Sequence, residues 1–232
     1  MSDIQRLSVI VPTLNEAAVI GDTLAALQPM RSRGHELIVV DGGSSDATAG
    51  IARPLADRLL PAASGRARQL QAGAGAAQGD ILWFLHADTG VSPDADRLIV
   101  NALQAGDREW GRFGVGFTGG GLLMRLVAAG MNLRSCLSGI ATGDQGIFIS
   151  RGLFGRIGGY PDIPLMEDIA LCRKLRRESR PVCLHERVYT SARRWQANGY
   201  LRTVLLMWGL RLGYFLGVPP ATLAKYYGTG PR

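Results

Sequence analysis

What the chain has little of narrows its reading first. It holds only three cysteines, Cys136, Cys172 and Cys183. They are too few and too irregularly spaced for a zinc ribbon or a disulfide framework, and read as reduced thiols. The opening stretch, residues 1–16, lacks both a basic n-region and a long apolar h-region, so the expectation is a cytoplasmic protein rather than a secreted one. No uninterrupted apolar run is long enough for a bilayer span. The richest, Tyr200 to Val218, is broken by Arg202, Arg211 and three glycines, and reads as a core or membrane-surface helix. Internal repeats and disordered linkers are absent too. Acidic residues run short: 19 against 26 lysines and arginines, a formal charge of +7. That balance suits anionic partners, whether phosphorylated small molecules, nucleic acid or an anionic membrane surface, and composition alone does not choose among them.

What is present reads as one α/β domain of 232 residues, 47% hydrophobic and 19% charged. Leu7 to Val11 is a short β-branched run closed by Pro12, followed by a helical pattern from Glu16 to Leu27. Glu36 to Val40 is a second strand running into Asp41, and a turn of Gly42, Gly43, Ser44, Ser45 and Asp46 opens a helix expected to reach Ala56 despite Pro54. Arg58 to Leu60 offers a third strand, residues 65 to 77 a helix, and Ile81 to Leu85 an apolar strand ending in His86-Ala87-Asp88. Strands alternating with helices imply an open, mostly parallel sheet with helices on both faces. The second half is less regular: a glycine-rich strand and turn over 110–121, a helix over 122–137, a strand over 146–150, a basic helix from Glu167 to Arg177, and the apolar tail.

Ligands of such sheets collect at the carboxyl ends of the strands. Three polar clusters stand there: Thr13 to Glu16, Asp41 to Asp46, and His86 to Thr89. A sugar nucleotide needs a carboxylate for its base or ribose and a counter-charge for its diphosphate, commonly Mg²⁺ or Mn²⁺ on one or two carboxylates. A further carboxylate must take the acceptor's proton. The chain offers Glu16 and Asp41 for the nucleoside, Asp88 for the metal, and Glu167 or Asp168 as base. Structural uses compete with each: Asp46 as a helix cap, Asp41 as a turn aspartate, and the Glu167-Asp168 pair as acidic residues in a first helical turn.

Together these residues resemble the family 2 glycosyltransferases of GT-A fold. Ser8 to Glu16 (SVIVPTLNE) looks like that family's first strand and loop, and Val39 to Thr48 (VVDGGSSDAT) like its second strand and nucleotide-binding turn. Ala67-Arg68-Gln69 followed by Gly79 to Asp88 (GDILWFLHAD) is similar to the helix and strand that lead to its metal motif. Gly158-Gly159-Tyr160 and Glu167-Asp168 resemble its acceptor loop and acidic pair. The match runs from about residue 7 to 180.

The resemblance implies nucleotide-binding roles for Pro12, Thr13, Asn15, Glu16, Asp41, Gly43, Arg68, Ala87 and Arg194, metal contact at Asp88 and His86, and catalysis by Asp168 with Glu167. It implies a hexosyltransferase-type enzyme working by inverting transfer from a nucleotide sugar, with UDP expected and GDP open, and Mn²⁺ or Mg²⁺ as cofactor. Short length, Leu85-His86-Ala87-Asp88-Thr89 and Thr190 to Trp195 resemble a bacterial subgroup named for association with radical-SAM and selenium-related genes.

The chain departs from the family in two places. His86 stands where Asp-x-Asp would place a carboxylate, and serves either as a ligand or as a partner of the phosphates. Ser191-Ala192-Arg193-Arg194-Trp195 replaces the Gln-x-x-Arg-Trp of processive members, which argues against a polymer synthase. Arg193 or Arg194 is left for the diphosphate or for a surface, and His185 for a metal shell or an ordinary strand.

Along the single domain, residues 1–105 read as the nucleotide-binding half, 106–194 as the acceptor and catalytic half, and 195–232 as a helical tail. That tail is expected to pack near a lipid-linked acceptor at the inner face of a membrane, or to join two copies of the chain. Sugar and acceptor stay open. A sugar-phosphate nucleotidyltransferase is disfavoured because Pro12 to Glu16 replaces a glycine- and arginine-rich phosphate loop. A non-catalytic basic binding module is disfavoured because basic residues at 173–180 and 187–194 fall beside the candidate site. For the same reason nucleic acid is not an expected partner.

Overall fold

The structure, a computed structural model, describes residues 5–192, 195 and 199–227. Its strands are β1 (Leu7–Thr13), β2 (Glu36–Asp41), β3 (Arg58–Pro61), β4 (Ile81–Phe84), β5 (Thr89–Gly90), β6 (Trp110–Thr118), β7 (Phe148–Ser150) and β8 (Val182–Ser191). Its helices are α1 (Ile20–Ser32), α2 (Thr48–Ala52), α3 (Arg66–Ala76), α4 (Ala95–Gln104), α5 (Gly121–Ser138), α6 (Arg151–Arg156), α7 (Glu167–Glu178), α8 (Tyr200–Phe215) and α9 (Pro220–Tyr227). One sheet carries all eight strands in the order β3-β2-β1-β4-β7-β6-β8-β5.

Alternation along the strands feeds two cores. Leu7, Val9 and Val11 of β1 join Leu37 and Val39 of β2 and Ile81 and Trp83 of β4 on one face, packed against Ile20, Leu24 and Leu27 of α1 and Ile99 of α4. Ile10, Ile38, Val40, Leu82 and Phe84 point the other way, towards Leu70 and Ala74 of α3 and Leu171, Cys172 and Leu175 of α7. Burial on both faces explains why these strands are nearly continuous apolar runs. Close approach at α3 demands a glycine: a Cβ on Gly73 would lie 2.5 Å from the Ile10 Cγ2.

β1 pairs in parallel with β2 and β4, and β2 with β3, as the alternating pattern requires. β6 and β8 are parallel as well, whereas β4–β7, β6–β7 and β5–β8 are antiparallel and curl the sheet.

Element bounds shift for identifiable reasons. α1 begins at Ile20 rather than at Glu16, because the Glu16 carbonyl closes a turn onto the amides of Val19 and Ile20. α2 stops at Ala52, short of Ala56, since Pro54 has no N–H to continue the ladder. β5 and α4 have no counterpart in the sequence reading. Two residues of β5 are too few to show a period, while Leu98, Ile99 and Leu103 of α4 do carry one.

At the amino ends of the strands a charged network ties loop to helix. Arg33 donates from Nε and Nη2 to the two carboxylate oxygens of Asp96, both at 2.7 Å. The His35 Nδ1 accepts from the Leu7 amide at 3.2 Å, which places the ring proton on Nε2, 2.9 Å from Asp96. Burial pushes His35 below its ordinary pKa, with Asp96 opposing. Burial pushes Asp96 up, but the Arg33 guanidinium, the Arg97 amide and His35 outweigh it and hold the carboxyl below its usual range.

Both depressed pKa values give the same sign: the folded state binds fewer protons than the unfolded chain, so stability is present at neutral pH and lost on acidification. The urea midpoint is expected to fall from about pH 6.5 downward as His35 titrates, and again below about pH 4 as Asp96 does. A His35→Gln variant should flatten the first step, and an unchanged slope in that variant would assign the titration to another group.

Candidate active site

The loops after β1 and β2 are laced together before any ligand arrives. The Thr13 carbonyl accepts from the Gly42 amide at 2.9 Å and from the Gln69 Nε2 at 2.8 Å, and the same Nε2 reaches the Val40 carbonyl at 2.9 Å. Gln69, buried at 4% exposure, thus clamps the ends of two strands from α3. Asn15 takes a left-handed backbone (φ 56°). Its Oδ1 accepts from the Ser45 amide, and its own amide donates to the Ser44 Oγ, each at 2.9 Å. The Glu16 amide donates to the Thr48 Oγ1 at 2.8 Å.

Asp41 closes its own turn by accepting the Ser44 amide at 3.1 Å, and stays half-buried at the end of β2. Asp46 accepts from the amides of Thr48 and Ala17 at 3.0 and 3.2 Å, and the Thr48 hydroxyl and amide hold its carboxyl below the usual range. It is a loop tie. Pro12 and Thr13 are buried, Gly43 exposed with φ 92°. The Thr13 Oγ1 is buried with no hydrogen-bond partner among the described residues.

Beyond β4 the chain continues into His86, Ala87 and Asp88. The Leu85 amide holds the Ile10 carbonyl at 3.0 Å, and the buried Ala87 accepts from the Thr23 Oγ1 at 2.7 Å. The Asp88 Oδ1 accepts from the Thr190 Oγ1 at 3.3 Å, where β8 crosses β5. His86 Nδ1 lies 3.1 Å from the Asp144 Oδ1. Gly143 presses on the other side of the ring so closely that a Cβ there would stand 2.3 Å from His86 Nε2. The Gly143 amide then donates to the Asp168 Oδ2 at 3.0 Å. One residue therefore touches both the His86 ring and the Asp168 carboxylate.

Asp168 also accepts from the Ile169 amide at 2.7 Å, in the first turn of α7, where free helical N–H groups favour negative charge. Met166, immediately before the acidic pair, is left-handed at φ 68°, a backbone state that side-chain-bearing residues rarely adopt. Burial and the charge of Asp168 raise the Glu167 pKa, with Arg66 and His86 acting in the opposite sense. Desolvation lowers the Arg66 pKa, but attraction to Glu167, Tyr227, Asp144 and Asp168 outweighs it, so the group is raised.

The structure thus brings His86, Glu167 and Asp168 together through Gly143, Asp144 and Arg66, which the sequence reading did not single out, and sets Asp88 against Thr190, which it named only as part of a motif. Thr142-Gly143-Asp144 was visible as a glycine–aspartate turn between two elements, and that was its only signal. Arg68 turns to the surface, 2.8 Å from the exposed Asp162, while Arg66, two residues earlier, carries charge to the acidic pair. His185 is exposed on β8. Arg193 and Arg194 lie outside the described residues. The described residues contain no group of three or more His, Cys, Asp or Glu side chains placed to hold a metal ion. Asp88 offers one carboxylate, and a hard cation is commonly bound through one or two carboxylates plus substrate phosphates and water.

Known proteins resemble this chain in sequence and in fold. PGL/p-HBAD biosynthesis glycosyltransferases from Mycobacterium bovis and Mycobacterium tuberculosis are 34% identical over 164 residues, 66% of this chain. The chain spans 62% of the length of those curated relatives. Among solved structures, glucosyl-3-phosphoglycerate synthase from M. tuberculosis, in complex with phosphoglyceric acid, superposes with a TM-score of 0.61 at 23% identity, over 80% of this chain and 71% of that one. The same enzyme has been solved with Mn²⁺, UDP and glucosyl-3-phosphoglycerate. TarS residues 1–349 from S. aureus superpose with a TM-score of 0.65 at 16% identity, over 81% and 60% of the two chains. At these identities the superpositions establish the fold, which is GT-A. Lineage follows from the sequence itself, since the family model for Glycosyl transferase family 2 matches residues 8–157: the chain belongs to that family.

Proposed function

We propose that this protein is an inverting, metal-dependent transferase that moves a sugar from a UDP-sugar to an acceptor hydroxyl. The observation that carries the reading is the Gly143 contact, which sets the Asp168 carboxylate beside His86, itself two positions before Asp88 in the chain. The orphaned Thr13 hydroxyl at the end of β1, and Asp41 on the neighbouring strand end, supply polar groups for the nucleoside. The names of the relatives support glycosyl transfer, and the UDP and Mn²⁺ bound by a structural neighbour support a nucleotide-sugar donor.

In this scheme the acceptor oxygen gives its proton to the Asp168 carboxylate and bonds to the anomeric carbon as the bond from that carbon to the diphosphate oxygen breaks. Asp88, with His86, would hold the Mn²⁺ or Mg²⁺ whose charge stabilises the departing diphosphate. Arg66 adds positive charge on the same side as Glu167. We extend the reading to the radical-SAM- and selenium-associated subgroup, supported by the His86 motif, and to the division into donor half, acceptor half and tail.

The tail supports a peripheral membrane position. No helix among the described residues is long and apolar enough to cross a membrane. Two apolar stripes nevertheless face outward: Leu122, Leu126, Leu133 and Leu137 on α5, and Leu201, Leu205, Trp208, Leu212 and Phe215 on α8, each 58% to 80% exposed. Arg202 and Lys225 line an open groove with Leu201, Leu205, Leu206 and Tyr226. Apolar stripes edged by cations suit an anionic lipid surface that delivers a lipid-linked acceptor. A contact between two copies of the chain is the competing use.

Three outcomes are expected. UDP should raise the melting temperature in the presence of Mn²⁺, and Asp88→Ala should abolish that Mn²⁺-dependent rise; a full response in the variant would move the metal elsewhere. Asp168→Asn should lower turnover of the donor by about 10²- to 10⁴-fold while UDP binding persists; undiminished turnover would remove Asp168 as base. The protein should co-sediment with anionic vesicles and lose this with the double change Leu126→Glu and Trp208→Glu. Loss of a dimer in light scattering, without any lipid binding by the parent, would assign the face to self-association.

A further inference from the structure

Two arginines behind the acidic pair are left with unanswered charge. Arg134 comes from α5, and its Nη1 donates to the Ile140 carbonyl at 3.3 Å. Its Nη2 is buried with no hydrogen-bond partner among the described residues, and so is the Nη2 of Arg211 on α8. Neither guanidinium has a described carboxylate within salt-bridge distance, although the same structure gives Arg31, Arg33, Arg68 and Arg156 such partners. Burial and repulsion by Arg211 push Arg134 down to about 10, with Asp168 opposing. Burial lowers Arg211 too, against attraction from Asp168 and Asp144.

Their surroundings are built rather than loose. On α5, Asn132 bonds both the amide and the carbonyl of Val115, and Gln145 bonds Ser135 at 2.9 Å, so the helix is locked to β6 and to the turn that carries Gly143 and Asp144. On α8, Leu210 is buried with Met166 and Leu223, next to Ile169, so Arg211 is carried by the helix that backs the Glu167-Asp168 turn. Burying two cations that repel each other is unfavourable. A planar guanidinium pair finds its best complement in a multi-oxygen anion, taken up through forked N–H donors. A phosphoryl group near neutral pH carries between one and two negative charges, which matches the pair.

We propose that Arg134 and Arg211 form an anion subsite for the acceptor, so that the acceptor carries a phosphoryl group that docks on the two guanidiniums while its hydroxyl is presented to Asp168. The assignment of the hydroxyl rests on the transferase reading above; the anion subsite does not. The subsite is formed by α5 and α8, behind the Glu167-Asp168 turn that opens α7.

The test titrates inorganic phosphate into the protein already saturated with UDP and Mn²⁺, at constant ionic strength set with chloride, and follows melting temperature and heat of binding. The native protein should be stabilised by phosphate. Arg134→Gln and Arg211→Gln, made separately because they sit on different helices, should each weaken phosphate at least tenfold, retain UDP binding, and melt at the same or a higher temperature when phosphate is absent. An arginine needed only for structure would instead lower that temperature. No phosphate response in the native protein, or an equal response in both variants, which would mean an adventitious ion only, overturns the subsite. Failure of UDP to bind would strike the donor reading alone, because the phosphate arm repeated without UDP still reports on the two arginines. Glycerol phosphate and vesicles containing phosphatidic acid then distinguish a soluble from a lipid-borne phosphoryl group; either response, if lost with the arginines, upholds the subsite.

Discussion

The contact between Gly143 and its two neighbours is the constraint on which the rest of the site depends. A strand-end histidine and a helix-start aspartate come from separate parts of the chain, and nothing in their local sequence brings them together. The short turn between α5 and β7 does so, because it has an amide to give and no side chain to interpose. Every element around that turn serves to hold it. Gln145 is fastened to α5, α5 is fastened to β6 through Asn132, and β6 lies in the same sheet as β4, which leads into His86. The site is rigid because its weakest-looking piece is tied from several sides.

Opposite ends of the sheet treat charge in opposite ways. At the amino ends of β1 and β2, Arg33, Asp96 and His35 satisfy one another with short, well-directed bonds. At the carboxyl ends, Arg134 and Arg211 each bury a guanidinium nitrogen with no hydrogen-bond partner among the described residues, while Asp168 attracts both. One end holds the fold together. The other keeps its charges available, a division common where binding must compete with stability.

How much of this was legible in the sequence depends on the range of the interaction. The strands β1, β2 and β4 announced themselves because burial on both faces makes them apolar runs, and the polar residues that follow them marked the strand ends. Glu167 and Asp168 stood out as an acidic pair opening a helix. Arg66 did not, because one arginine beside another on a short helix looks alike in sequence, and only the helix's rotation decides which faces the cleft and which meets Asp162. Gly143 and Thr190 act through contacts made far along the chain, and Arg211 read as an interruption of an apolar tail. Charge at a helix interior is a local anomaly, but the group it answers is not local.

The hydrogen bond from Thr190 to Asp88 spans 102 positions of sequence. Such a link forms late, since chain entropy must be overcome before so distant a pair can meet. β2 pairs with β1 and β3 over much shorter separations, and β4 then offers the sheet edge that β7 joins. A folding chain in which β8 has not yet docked can therefore hold β1, β2 and β4 together while the Asp88 carboxylate still lacks the hydroxyl of Thr190 that steadies it.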